Sequence, residues 1–318
     1  MSRLLSLPAS NALLGLSLAC CLILTSCATP KDSDSGGAMN DEGGAGMSNT
    51  TQPVSSNATQ FMGGVTHAHT ERRLQLERSL DQWWLAFEKQ EYSKSDGLAT
   101  ALEQFVNKHY DEVVSDLKAS SPRFRRVAAA GLGFSGKKEA VEPLIVTLRD
   151  NDVGVLPAAL LSLRQLAING VDVPSAPVIG LLSQRNPDVR NNASMVLAHA
   201  VKKGEGELYL PLTSAMEDKE PGVRLHIAAA LGRLGDPAAI PFLTKALNDE
   251  FALVRVRSAL ALARIGDKRA VPSLIEAVDD PQPDVSRAAH KALQSLTGRK
   301  LDRRKEAWDE YLSNKSQE

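Results

Sequence analysis

Side chains able to do chemistry are sparse in this sequence, and their placement limits the chemistry open to them. The 318-residue chain has three cysteines, Cys20, Cys21 and Cys27, all before Ala28. Everything downstream therefore lacks a thiol nucleophile and an intramolecular disulfide. The six histidines are His67, His69, His109, His199, His226 and His290. His67 and His69 stand close together, but no nearby Cys, Asp or further His completes the three or four ligands that a metal needs. No GxSxG elbow and no phosphate-binding glycine loop occurs. These residues predict no catalytic, cofactor-binding or metal site.

One charged pattern is periodic. Asp218, Asp249 and Asp280 recur at a constant interval, and Arg224 and Arg255 follow the first two by six. Acid and base at one period neutralise each other, so the pattern predicts a self-neutralised set rather than a basic groove for an anion. The pattern breaks at Ser286, and again at Leu156, which stands where an arginine would follow Asp150.

The elements that carry these residues are themselves a repeat. Val223 to Leu247 reads VRLHIAAALGRLGDPAAIPFLTKAL and returns as Val254 to Val278, VRVRSALALARIGDKRAVPSLIEAV. First-helix starts fall at Phe124, Val155, Val189, Val223, Val254 and Val285. The steps are equal except for two slightly longer ones, from Val155 to Val189 and from Val189 to Val223. Apolar or small residues at offsets 4, 8 and 11, such as Ile227, Leu231 and Leu234, put one stripe on one side of each helix. Second helices carry sets such as Val141, Leu144 and Leu148, or Ile240, Leu243 and Leu247. Asp236-Pro237 reads as a helix N-cap followed by proline at the first helical position, yet Pro241 and Pro272 lie a turn further in. Such helices start later than Pro237 or are kinked. A helical pair repeated about six times over 122–298 predicts an all-α solenoid, and aromatics at only 4% suit thin, closely packed helices.

Both ends of the array need covering. Residues 71–121 read as an N-terminal cap with a degenerate repeat. Leu76, Leu80, Trp83 and Phe87 line one face of a helix from about Glu71, and Asp96 caps a second helix through Leu98, Leu102 and Phe105. Tyr110, Val113, Val114 and Leu117 anticipate Val141, Leu144, Ile145 and Leu148 by the shorter repeat step. Residues 299–318 read as a C-terminal capping helix with Trp308, Tyr311 and Leu312 on one face. Its cluster Arg299, Lys300, Arg303, Arg304 and Lys305 is diluted by Asp302, Glu306, Asp309 and Glu310. With a formal net charge of −1, no strong basic field points to nucleic acid.

The segment before the cap reads as an address and a tether. Arg3 precedes an apolar run from Ala12 to Leu24, shorter than the ~20 residues of a spanning helix. Leu24-Thr25-Ser26-Cys27 resembles a bacterial lipobox, which implies a signal peptide over 1–26 and lipid attachment to Cys27. Ala28 rather than Asp then looks like an outer-membrane address. Residues 27–70, rich in Gly, Ser, Asn and Thr, predict a disordered lipid-anchored tether.

The array resembles HEAT repeats, specifically the short bacterial type first associated with phycobilisome lyases. Val223-Arg224, Ala228-Ala229-Ala230-Leu231-Gly232, Leu234-Gly235-Asp236 and Ala239-Ile240-Pro241-Phe242-Leu243 carry the resemblance. It implies stacked helical hairpins and a structural role for the Asp–Arg ladder. Deoxyhypusine hydroxylases share the architecture and bind iron through His-Glu dipeptides, which this sequence lacks. The expected function is a non-enzymatic, lipid-anchored scaffold or adaptor for a protein partner in the bacterial cell envelope, on the periplasmic face of the outer membrane. The alternatives are a lyase-like enzyme of the phycobilisome type and a cell-wall or polysaccharide binder. No cofactor and no nucleic-acid partner are expected.

Overall fold

The computed structural model describes residues 56–315, with side chains from 68 to 314. The expected signal peptide, Cys27 and the expected tether as far as residue 55 lie outside the described residues. No strand occurs among the described residues; the chain is an all-α solenoid. No described helix is long and apolar enough to cross a membrane.

Three helices open the chain: α1 (Ser56–Glu88), α2 (Tyr92–Lys108) and α3 (Tyr110–Asp116). Pairs of one long and one short helix follow: α4 (Pro122–Leu132) with α5 (Val141–Thr147), α6 (Val155–Ile168) with α7 (Ala176–Ile179), and α8 (Pro187–Ala200) with α9 (Tyr209–Ala215). The last pairs are α10 (Pro221–Leu234) with α11 (Ile240–Ala246), α12 (Ala252–Ile265) with α13 (Val271–Glu276), and α14 (Pro283–Thr297) closed by α15 (Lys305–Lys315).

The unit is built from local rules. Pro221 starts α10, where its missing N–H costs nothing. Gly235, at φ 71°, ends it in the left-handed conformation, its N–H donating to Leu231 O at 3.1 Å. The Asp236 carboxylate accepts from Ala238 N at 2.8 Å and starts a single 3-10 turn, Pro237–Ala239. The α-helix proper starts only at Ile240, so Pro241 sits in its first turn and no kink is needed. Gly266 (φ 83°), Asp267 and Pro272 repeat the arrangement. In the longer unit that opens at α8, Glu205 precedes the 3-10 turn but its carboxylate caps nothing in it, accepting instead from Lys202 N at 2.9 Å and from Ser175 Oγ of the preceding unit at 3.0 Å.

The stripe at offsets 4, 8 and 11 is buried; Ile227, Leu231 and Leu262 are each 0% exposed. Long helices pack against the long helices of neighbouring units, α10 touching both α8 and α12. A Cβ added at Gly232 would lie 2.8 Å from the Ala261 backbone, which measures how closely α10 and α12 approach. Short helices pack chiefly on long ones and make far less contact with each other. The long helices therefore form the tighter, inner layer of the stack.

The N-terminal cap corrects two expectations. The first helix begins at Ser56, well before Glu71 and inside the segment expected to be tether. A helix docked through Leu76, Leu80 and Trp83 has met its nucleation cost, so it extends outward through residues of weak propensity. The second helix starts at Tyr92, leaving Asp96 inside it rather than at its cap. Trp83 and Trp84 are buried; Trp83 stacks edge-on against Phe134 at 5.1 Å. Arg72 and Arg73 both bond the buried Asp116, at 2.5 and 2.6 Å, tying α1 to the end of α3. At the other end Trp308 is fully buried, edge-on to His290 and Tyr311.

Candidate functional site

Two polar faces run along the long helices on either side of the buried stripe. The first is the ladder. Arg224 Nε and Nη2 donate to the two carboxylate oxygens of Asp249 at 2.7 and 2.9 Å, while Nη1 donates to the carbonyls of Asp218 and Lys219 at 2.8 and 3.2 Å. Asp249 also accepts from Phe251 N at 2.9 Å, so one carboxylate caps a turn and holds an arginine. Arg255 with Asp280, Arg190 with Asp218 and Arg125 with Asp150 make the same forked pair, with Nε contacts of 2.8, 2.6 and 2.7 Å. Each arginine thus sutures the end of one short helix to the end of the previous one.

This geometry corrects the spacing read from the sequence. Arg224 pairs forward with Asp249 at the end of its own unit's short helix, and meets Asp218, at the end of the preceding one, only through its backbone carbonyl. Arg125, Asp150 and Arg190 are further members; the signal that finds them is an arginine one residue after each unit's first apolar position. One unit lacks both members of the rung, since Leu156 replaces the arginine and Gln184 the aspartate, and the last unit has Ser286 at the arginine position. Desolvation pushes the Asp249 carboxyl up, but hydrogen bonds from Arg224 and the Phe251 amide outweigh it and hold the group below its ordinary value. Asp218 behaves alike, with Arg190 as donor, and the hydrogen bond from Arg125 lowers Asp150. These arginines are neutralised and available for little else.

The second face lies on the other side of the stripe, on the inner layer. Arg164 of α6, His199 of α8, His226 and Arg233 of α10, and Arg257 and Arg264 of α12 occupy it. They influence one another directly. Desolvation lowers His199 to about 4 and His226 to about 3, with Arg164 and Arg257 adding to both shifts. Burial also lowers Arg164, and burial with Arg264 as neighbour lowers Arg233. Among the described residues no carboxylate forms an ion pair with Arg233, Arg257 or Arg264; Arg233 Nε donates to the Val201 carbonyl at 3.1 Å. In the sequence His199 and His226 stand only as helix-surface residues. His199, Arg233 and Arg264 share one repeat position, ten residues after Val189, Val223 and Val254, and His226 and Arg257 share another, three after Val223 and Val254, but the residue type changes within each set.

The remaining residues singled out by sequence are dispersed. His69 meets Arg72 at 3.1 Å, and His290 bonds Gln294 at 2.8 Å. The side chain of His67 lies outside the described ones. Among the described residues no three His, Cys, Asp or Glu side chains converge as a metal site would require. In the C-terminal segment Lys305 pairs with Glu276 and Asp309, and Arg304 with Asp302.

Comparison with known proteins bears on this architecture. Residues 174–252 and 240–307 match the family model of HEAT repeats. The archaeal HEAT-like repeats protein of Thermococcus onnurineus is similar in structure, with a TM-score of 0.50 at 13% identity, covering 78% of this chain and 99% of that one. Human deoxyhypusine hydroxylase in complex with glycerol gives a TM-score of 0.36 at 23% identity, over 64% of this chain and 79% of that one. The complex of CpcE and CpcF of phycocyanin lyase from Nostoc sp. gives 0.44 at 20%, over 58% and 76%. At these identities the likeness concerns the fold alone. No curated protein matches the chain.

Proposed function

We propose that the protein is a non-enzymatic scaffold that presents the inner layer of its solenoid to a protein partner. The observation that carries this reading is the continuous inner face of the long helices, rigidly stacked and closed at both ends by buried tryptophans. A stack of this kind offers an extended surface whose shape is fixed before binding, which lowers the ordering cost of association. The lipobox resemblance at Cys27 supports a lipid-anchored position in the bacterial cell envelope, facing the periplasm from the outer membrane, with the chain after Cys27 holding the solenoid off the bilayer.

The test is a crosslinked pull-down from envelope fractions with wild type and Cys27→Ser. One dominant protein partner, lost or relocated in the variant, is the expected result. A wild type that captures no partner while remaining membrane-bound would defeat the scaffold reading and favour a cell-wall polymer. A chromophore bound to the purified protein would favour a lyase.

A further inference from the structure

We propose that the inner face binds an extended acidic segment of the partner protein, whose carboxylates meet Arg233, Arg257 and Arg264 while an apolar side chain meets Leu260. The proposal rests on the scaffold reading and names the chemistry of its partner. Four observations carry it.

The first is sign. The four consecutive long helices α6, α8, α10 and α12 contain a single acidic residue, Asp188, at the start of α8. Their ladder arginines, Arg190, Arg224 and Arg255, are matched by aspartates on the outer side, whereas Arg233, Arg257 and Arg264 have no such match among the described residues. The chain as a whole is nearly neutral, so this is a local field and not a general basicity.

The second is extent. Arg233 lies on α10 and Arg257 and Arg264 on α12, neighbouring helices ~8–10 Å apart, and Arg257 and Arg264 are separated by two helical turns, about 10 Å along their axis. A single small anion would need convergent donors; a line of separated cations matches a line of separated anions.

The third is texture. Leu260, 41% exposed, lies between Arg257 and Arg264 at helical spacings of three and four, so the three share one face. An apolar residue among the target's carboxylates would cover it. None of the six strip residues is an aromatic platform of the Trp, Tyr or Phe type, which removes the stacking on which single-stranded nucleic acid depends.

The fourth is environment. Arg164 is buried, and His199 and His226 are half-buried, so the floor of the strip is already partly desolvated. Charge-assisted hydrogen bonds made there are stronger than on an open surface.

The experiment measures fluorescence anisotropy of a labelled peptide of about ten residues, glutamates with one central leucine, against the full chain. Wild type is expected to bind in the micromolar range. Arg257→Glu with Arg264→Glu should weaken binding by about tenfold or more. The control, Lys219→Glu with Lys268→Glu, changes the net charge equally at turn positions and should leave affinity within about twofold. No binding by wild type, an equal loss in both variants, or tighter binding of an oligothymidylate of equal charge would each overturn the proposal. In the crosslinked pull-down, equal capture by wild type and by the Arg257→Glu/Arg264→Glu variant would remove the acidic-segment site while leaving the scaffold standing. Only failure of the wild type to capture a partner removes both.

Discussion

The ladder edge and the inner face use the same residue on the same helices to opposite ends. On α12, Arg255 is held by two carboxylate oxygens and two backbone carbonyls, whereas Arg257 and Arg264, further along the same helix, meet no carboxylate among the described residues. The difference is the partner that the end of the unit's own short helix provides. The ladder face turns toward the loop that closes the short helix, where an aspartate is fixed by its own turn. The inner face brings together arginines and histidines of neighbouring long helices with Leu260, and none of its arginines Arg233, Arg257 and Arg264 forms an ion pair with a carboxylate among the described residues. An arginine on this fold is structural or available according to which side of the stripe it leaves.

Four measurements break or sharpen that contrast. The largest effect belongs to the stripe that supports both faces: Leu231→Ala should cost ~2–5 kcal/mol in urea unfolding. A loss below about half a kcal/mol would mean that Leu231 does not lie in the packed core. Next comes the ladder. Arg224→Ala should destabilise by ~1–3 kcal/mol, and Asp249→Ala added to it should cost much less than Asp249→Ala alone. Full additivity would show that the rung does not act as a unit.

A smaller effect comes from the two inner-face histidines. Their pKa values lie below the ordinary 6.5, at about 4 and about 3, so the unfolded chain takes up protons first as pH falls. Stability is full above pH 6.5 and is lost from there down to about 4 through His199 and about 3 through His226, so most of the loss comes before the ladder aspartates, whose ordinary value is 3.8, begin to be protonated. Melting should fall by roughly 2–4 °C across that range, and His226→Asn should flatten the slope. The smallest effect is Arg264→Ala, which should change stability by less than about 0.5 kcal/mol while weakening binding of the acidic peptide. A large stability loss there would make Arg264 a structural residue after all.

The architecture was legible in the sequence because its determinants are local. The stripe at Ile227, Leu231 and Leu234 and the Gly235-Asp236 stop act within one unit, and their period is visible in the letters. Pairings between helices were legible only in part. Asp218, Arg224, Asp249, Arg255 and Asp280 were found as a periodic set, but the forward reach of Arg224 to Asp249 depends on how the hairpin folds back, which spacing does not contain. The inner strip was passed over because its repeat positions change residue type from unit to unit, as from His199 to Arg233 and from His226 to Arg257, so the recurrence is not one of identical letters. The early start of α1 at Ser56 escaped for another reason: those residues are carried by the docked helix beyond them.

The missing rung has a mechanical consequence. Units joined only to their neighbours behave as springs in series, all carrying one tension, so the most compliant joint takes most of the extension. Between Asp150 and Gln184 the stack has a leucine and an amide where the joints on either side have a forked ion pair, Arg125–Asp150 and Arg190–Asp218, and α7 is a helix of a single turn. Load applied between the capped ends would lengthen the solenoid there first, bending the N-terminal units relative to the stiffer C-terminal ones before any hairpin unfolds.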